Sequence, residues 1–355
     1  MNRRSMKRRV VSALVALGAI AGLAVFAAPA WAATAITGGG STAAQPLYQK
    51  WDSLDASVSL NYQGVGSTQG IQLVEQGLVN FGASDIPLTV ADLNSNGLVQ
   101  FPTAMVGIVP IVHVPGIASG KLKLSGPVLA KIFDHKITTW NDAAIKALNP
   151  GLSLPGLTIQ RVVRSSGSGT TWIFSHYLKA VFSSFPTPGP TVNWPGVTVG
   201  ATSSANMVAQ VKAVNGAIGY VEYTYAKSGT KGQLAWVFVE NKAAKYPAPG
   251  RDDFAAAASG AAWKAADGFT VSLVNRPGAN TWPIVGATYS LVKKSQSSYG
   301  VAHALLGFFN YGYTNSGAKT AAQNLDYVTM PSKVVTLVEA QWHSAIKAGS
   351  KPCWP

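Results

Sequence analysis

Hydrophobic positions along this chain change period repeatedly. A β-like apolar run is followed by Gly, Ser and Thr, and then by a run with helical spacing. "TAITGGGST" leads into AAQPLYQKWDSL, "VSLNYQGVGST" into QGIQLVEQG, and "LTIQRVVRSSGSGTT" into WIFSHYLKAVF. Strands alternating with helices predict α/β architecture. In each unit the polar residues fall where a strand's carboxyl end meets a helix N-terminus, the edge at which open α/β sheets bind ligands.

Two extended runs look like connections between lobes: "FPTAMVGIVPIVHVPG" at 101–116, closed by Pro115-Gly116, and "WPIVGATYSLVKK" at 282–294. The block between them has its own helix signals, in SGPVLAKIF, NDAAIKAL and residues 173–182. A middle lobe inserted into a first lobe explains this layout, with the chain crossing twice on a two-strand hinge. Two sequential domains fit less well, because no Pro/Gly/Ser-rich linker divides the chain. No repeat or low-complexity block is present.

The N-terminus changes the picture of location. Arg3, Arg4, Lys7, Arg8 and Arg9 precede an apolar stretch from Val10 to Phe26, and Ala30-Trp31-Ala32 supplies a small-residue cleavage signal. This reads as a cleaved signal peptide over residues 1–32, favouring the general secretory route; the competing reading is a membrane anchor. The chain has 28 Lys+Arg against 14 Asp+Glu. Removing those five basic residues leaves a mature charge of about +9, which suits an anionic ligand. The basic residues are dispersed without a nucleic-acid motif, so no nucleic-acid partner is expected. A single cysteine, Cys353, excludes an intrachain disulfide, and only 12% of residues are charged against a usual ~25%.

The stretch "VVRSSGSGTTW", residues 162–172, carries the candidate chemistry. As a nucleophile elbow it fails, because Ser166-Gly167-Ser168-Gly169-Thr170 lacks the outer glycines of G-x-S-x-G. His176 lies eight residues on, about 12 Å along a helix. As a phosphate loop of an NTPase it fails for want of the required Lys. Gly38-x-Gly40-x-x-Ala43 is a weak dinucleotide signal, with no acid ending the next strand. No spacing of His or Cys suits a metal, and no cofactor is expected. What remains is a cradle for a small anion. Ser168, Gly169 and Thr170 offer N–H groups and hydroxyls at the positive end of a helix, and Arg164 offers a bidentate fork. Ordinary N-capping by Ser166 or Ser168 is the competing explanation for this loop. Loops of the same design around Thr42 and Ser67 favour the cradle.

Asp85, in "VNFGASDIPL", is out of place beside an anion. One reading makes it the N-cap of the helix-like TVADLNSN. The other makes it an acceptor for the proton that phosphate carries and sulfate lacks.

The segments "TGGGSTAAQPLYQKW", "NYQGVGSTQGI", "NFGASDIPL", "GPVLAKIFDHKITTWNDAAIKALNPGLSLP", "VVRSSGSGTT", "GAIGYVEYTYAK" and "LDYVTMP", in this order, resemble the periplasmic phosphate-binding proteins of high-affinity phosphate ABC transporters (PstS type). The resemblance runs from about Thr37 to the C-terminal region. It implies a two-lobed periplasmic binding protein fold of type II, with two mixed-sheet lobes joined by a two-strand hinge. The expected layout is residues 33–112 plus 285–355 as lobe 1 and 113–284 as an inserted lobe 2. It also implies an exported, periplasmic monomer that binds inorganic phosphate and delivers it to permease subunits in the inner membrane, without catalysis. The implied ligands are Thr42, Ala43 (by N–H), Ser67, Asp85, Arg164, Ser168, Gly169 and Thr170. Alternatives are a secreted phosphatase-like enzyme, or a binding protein for sulfate, molybdate or tungstate. Three departures stand out. Ala43 replaces a usual Phe, Ser166 replaces a frequent Asp beside Arg164, and VGATSSANMVAQV replaces a Gly/Lys-rich stretch, a change expected to alter only a surface loop.

Overall fold

The computed structural model describes residues 33–229 and 234–355; the signal-peptide reading of residues 1–32 lies outside them. Strands β1 (Thr34–Gly40), β2 (Val58–Gln63) and β3 (Phe81–Ser84) alternate with helices α1 (Gln45–Asp52), α2 (Ser67–Glu75) and α3 (Val90–Ser95). The long β4 (Leu98–His113) follows, then β5 (Lys123–Leu124), α4 (Gly126–Phe133) and α5 (Ala143–Leu148). Next come β6 (Gln160–Arg164), α6 (Gly169–Val181), β7 (Val199–Ala201), α7 (Ser204–Ala213), β8 (Ala217–Glu222) and α8 (Tyr223–Gly229). The chain ends through β9 (Ala235–Trp236), β10 (Phe238–Val239), α9 (Arg251–Ala257), β11 (Val285–Lys293), α10 (Tyr299–Thr314), α11 (Ser316–Asn324), β12 (Val328–Thr329) and α12 (Ser332–Ala345). Each of the three period switches read from the sequence is a strand, a polar turn and a helix.

The main sheet has the order β2-β1-β3-β11-β4-β8-β6-β7. β1 runs parallel to β2 and β3, and β6 runs parallel to β7 and β8. Between these parallel groups β4 and β11 run antiparallel to their neighbours. β4 pairs with β11 from Leu98 to Gly107 and with β8 from Ile108 to His113. One strand therefore serves both groups, and its apolar run is buried as a central strand requires. Pro102 cannot donate to the ladder, and the register slips there, between Thr288 and Tyr289.

Separate aromatic packing supports each end of the sheet. Tyr48, Phe81, Phe101 and Phe309 meet edge to face under β1–β3. Phe133, Phe174 and Tyr220 do so under β6 and β8, with Phe174 and Tyr220 stacked at 4.2 Å. Such contacts add about 0.5–1.5 kcal/mol each beyond burial. Cys353 is a free, buried thiol.

Candidate functional site

The parallel strands of the two groups end toward one another, and their following loops bring the predicted residues together. Arg164 closes β6. Its Nη1 donates to Ser168 Oγ at 3.0 Å and to Thr42 Oγ1 at 3.4 Å, and its Nη2 donates to the Thr202 carbonyl at 3.1 Å. Thr42 lies 122 residues away in sequence, in the β1–α1 loop. The guanidinium is 6% exposed, its Nε has no partner, and among the described residues no carboxylate pairs with it. A buried cation without a counter-charge is costly, and an anion in this position would supply it.

Ser168 both caps α6, accepting from the Thr171 N–H, and binds Arg164. Capping and the cradle are therefore the same structure. The Asp85 alternative resolves differently. Thr89 caps α3, and Asp85 is 2% exposed behind the cradle. Its two oxygens accept from Ser41 Oγ at 2.8 and 2.7 Å, and Oδ2 accepts from Ser67 Oγ at 3.4 Å. Burial first, and the charge of Glu222 second, push its carboxyl up to about 7, although Ser41, Thr288 and Ser67 work against the shift. The acceptor-only state expected of Asp85 is thus complete only above neutrality.

Two glycines let the loops approach. Gly66, at φ +96°, precedes α2, and a Cβ there would lie 3.0 Å from the Gly167 carbonyl. Gly169 starts α6 against the β3 loop. A Cβ on it would meet Ser67 Oγ at 2.4 Å and Asp85 Oδ2 at 2.5 Å. Gly169→Ala is expected to push the loops apart, at about 1–3 kcal/mol of overpacking, or roughly five- to a hundred-and-fiftyfold in the Kd of an anion held there. Binding calorimetry alongside circular dichroism checks this: affinity should fall with the fold intact.

Other predicted residues sit in the cradle with partners of their own. The Ala43 N–H donates to Ser41 Oγ at 3.0 Å, and the Ala43 carbonyl accepts from Tyr327. The Thr170 hydroxyl donates to Glu222, leaving its oxygen to act only as an acceptor toward anything else. Ser166 is exposed and is not among the groups that hold the Arg164 fork. Ser166→Asp, which adds a negative charge at this exposed position, is expected to lower the salt dependence of anion binding; equal slopes in titrations across ionic strength would show no coupling.

The structure corrects one expectation and adds residues. The TSSAN turn after β7 is not a mere surface loop. Ser204 is buried and its Oγ lies 2.9 Å from Thr42 Oγ1. The signal was present, since "VTVGATSSANMVAQV" is a fourth strand–Ser/Thr–helix unit. Ser41 shares the polar turn of Thr42, whereas Glu222 and Tyr225, which donates to the Thr42 carbonyl, carried no comparable signal. Among the described residues no group of His, Cys, Asp and Glu could hold a metal.

Two groups of parallel strands joined by shared antiparallel central strands are the design of a type II periplasmic binding protein, and the chain matches a PBP superfamily domain over residues 27–316. It is 39% identical to the phosphate-binding protein PstS of Pasteurella multocida, covering 91% of this chain and 94% of that protein. It is 40% identical to PstS of Haemophilus influenzae, covering 89% and 94%. This chain belongs to the PstS phosphate-binding protein family. The fold is similar to that of a high affinity periplasmic phosphate-binding protein, PfluDING, bound with phosphate (TM-score 0.73, 23% identity, 89% of this chain and 96% of that one). It is also similar to a phosphate-binding protein from Stenotrophomonas maltophilia (TM-score 0.65, 21% identity, 87% and 94%).

Proposed function

We propose that this protein binds inorganic phosphate between its lobes and delivers it to an ABC permease for import. The observation that carries this reading is Arg164, buried among hydroxyls from three loops with no carboxylate partner among the described residues. Thr42, Ala43, Ser67, Asp85, Arg164, Ser168, Gly169 and Thr170 form the ligand set, with Ser204 added by the structure. The lobes are residues 33–112 with 285–355, and 113–284, closing over the ligand on the strands that join them. This reading includes no chemical step; the partners of Ser168 are Arg164 and a backbone N–H, the contacts of a binding residue. Family membership supports a periplasmic, monomeric carrier exported by its N-terminal segment; among the described residues no helix is long and apolar enough to cross a membrane.

Calorimetry with phosphate, arsenate, sulfate and molybdate at pH 8 tests the reading, beside a phosphatase assay on the same sample. Phosphate should bind tightly and sulfate should not, because an ionised Asp85 rejects a ligand without a proton. Equal sulfate affinity would sink the reading. Scattering with and without phosphate tests closure: an unchanged radius of gyration counts against it.

A further inference from the structure

Glu222, at the end of β8, is a second carboxylate on this site, and the ligand set above gives it no role. It is 1% exposed, and among the described residues no cation lies within ion-pair distance. One of its oxygens accepts from the Thr170 hydroxyl, and the other is buried without a partner. Thr170 follows Gly169, whose Cα packs against Asp85 so closely that a Cβ would lie 2.5 Å from the Asp85 side chain. The first turn of α6 therefore stands between two buried carboxylates, one from each group of parallel strands. We propose that Glu222 is a specificity-determining residue: by fixing the Thr170 hydroxyl and placing a second buried carboxylate opposite Asp85, it tunes whether Asp85 offers the ligand an acceptor or a proton. This rests on the phosphate reading and deepens it.

Two like charges in a low-dielectric site favour keeping a proton on one of them. Glu222 has the Thr170 hydroxyl as a donor, and Asp85, raised toward neutrality by burial and then by Glu222, takes its proton from solvent. The other titratable groups around Asp85 are Tyr48 from α1, Tyr62 from β2, Tyr289 from β11, Tyr327 and, across a cavity of about 40 Å³, His176 from α6. Burial holds the four tyrosines protonated well past neutrality, so they place no charge against Asp85 there. Among the described residues, the carboxylate that acts on it across this pH range is Glu222. With its proton, Asp85 donates to an oxyanion that carries none, such as sulfate. Without it, Asp85 only accepts, and selects an oxyanion that brings a proton. Discrimination against sulfate thus becomes a pH-dependent property that burial of Asp85 creates and Glu222 tunes.

Competition of sulfate against phosphate, measured by calorimetry from pH 5.5 to 8.5, tests this. In the wild type, sulfate affinity should rise about tenfold from pH 8 to pH 6, as one linked proton requires, with its midpoint near neutrality. In Glu222→Gln the midpoint should fall by about one pH unit as the neighbouring charge is lost. Glu222→Asp, which keeps the charge, should restore the wild-type midpoint. Carboxyl carbon NMR of the ligand-free wild type gives a reading that needs neither variant nor ligand: the Asp85 carboxyl should titrate near neutrality. The same midpoint in wild type and Glu222→Gln, or the proton residing on Glu222, would overturn the proposal. Failure of the wild type to bind phosphate at pH 8.5 would instead count against the phosphate reading, with the NMR titration still deciding which carboxylate holds the proton.

Discussion

Arg164→Ala should weaken phosphate binding more than any other basic-to-alanine change in the chain. Truncating one partner of a buried, hydrogen-bonded charge pair costs about 2–5 kcal/mol, roughly thirty- to several thousandfold in Kd. The variant should nevertheless fold well. It removes a buried guanidinium whose Nε has no partner and whose charge has no acid beside it among the described residues. Arg161 provides the control, three residues earlier on the same strand. It is equally buried, but its fork donates to the carbonyls of Phe133, Pro195 and Val197. Arg161→Ala should leave those acceptors unsatisfied and lower the melting temperature. Calorimetry and thermal melts on the two variants separate a ligand arginine from a structural one. Unchanged phosphate affinity in Arg164→Ala would remove it from the site.

The second large effect concerns stability and pH. The Asp85 carboxyl is raised from 3.8 to about 7, mainly by burial. Between those values the folded protein holds a proton that the unfolded chain releases. Its contribution to stability is therefore fully present below about pH 4, declines as pH rises toward 7, and is flat above. Three pH units at about 1.4 kcal/mol each give roughly 4 kcal/mol lost across this window. Denaturant unfolding of phosphate-free protein at pH 4.5 and pH 8 measures it, and Asp85→Asn should abolish the decline. The same substitution should relax rejection of sulfate, because an amide donates as well as accepts. The ion pairs among the described residues all involve an exposed basic partner, so protonating carboxylates removes little elsewhere and the fold should tolerate acid. Cooperative unfolding above about pH 4 would contradict this.

Local chemistry determined much of this protein from sequence alone. The change from β to helical period at residues 34–52, 58–75 and 160–181 fixes strands and helices, because each pattern suits only one backbone geometry. Ser and Thr between them mark helix N-termini, since their hydroxyls satisfy N–H groups that the helix leaves open. Thr42, Ser67, Arg164 and Ser168 were therefore visible as anion-binding candidates. What the chain order could not say is which loops face one another. Ser204 reaches Thr42 across 162 residues because β7 and β1 lie in groups whose ends converge. Arg161 and Arg164 are indistinguishable as letters, and only the neighbours of β6 give one to carbonyls and the other to the cleft. The proton on Asp85 is a property of burial and of Glu222, 137 positions further along the chain. Hydrogen-bonding capacity belongs to the residue and can be read from its name; desolvation and long-range pairing belong to the packed molecule, and the tertiary structure alone decides them.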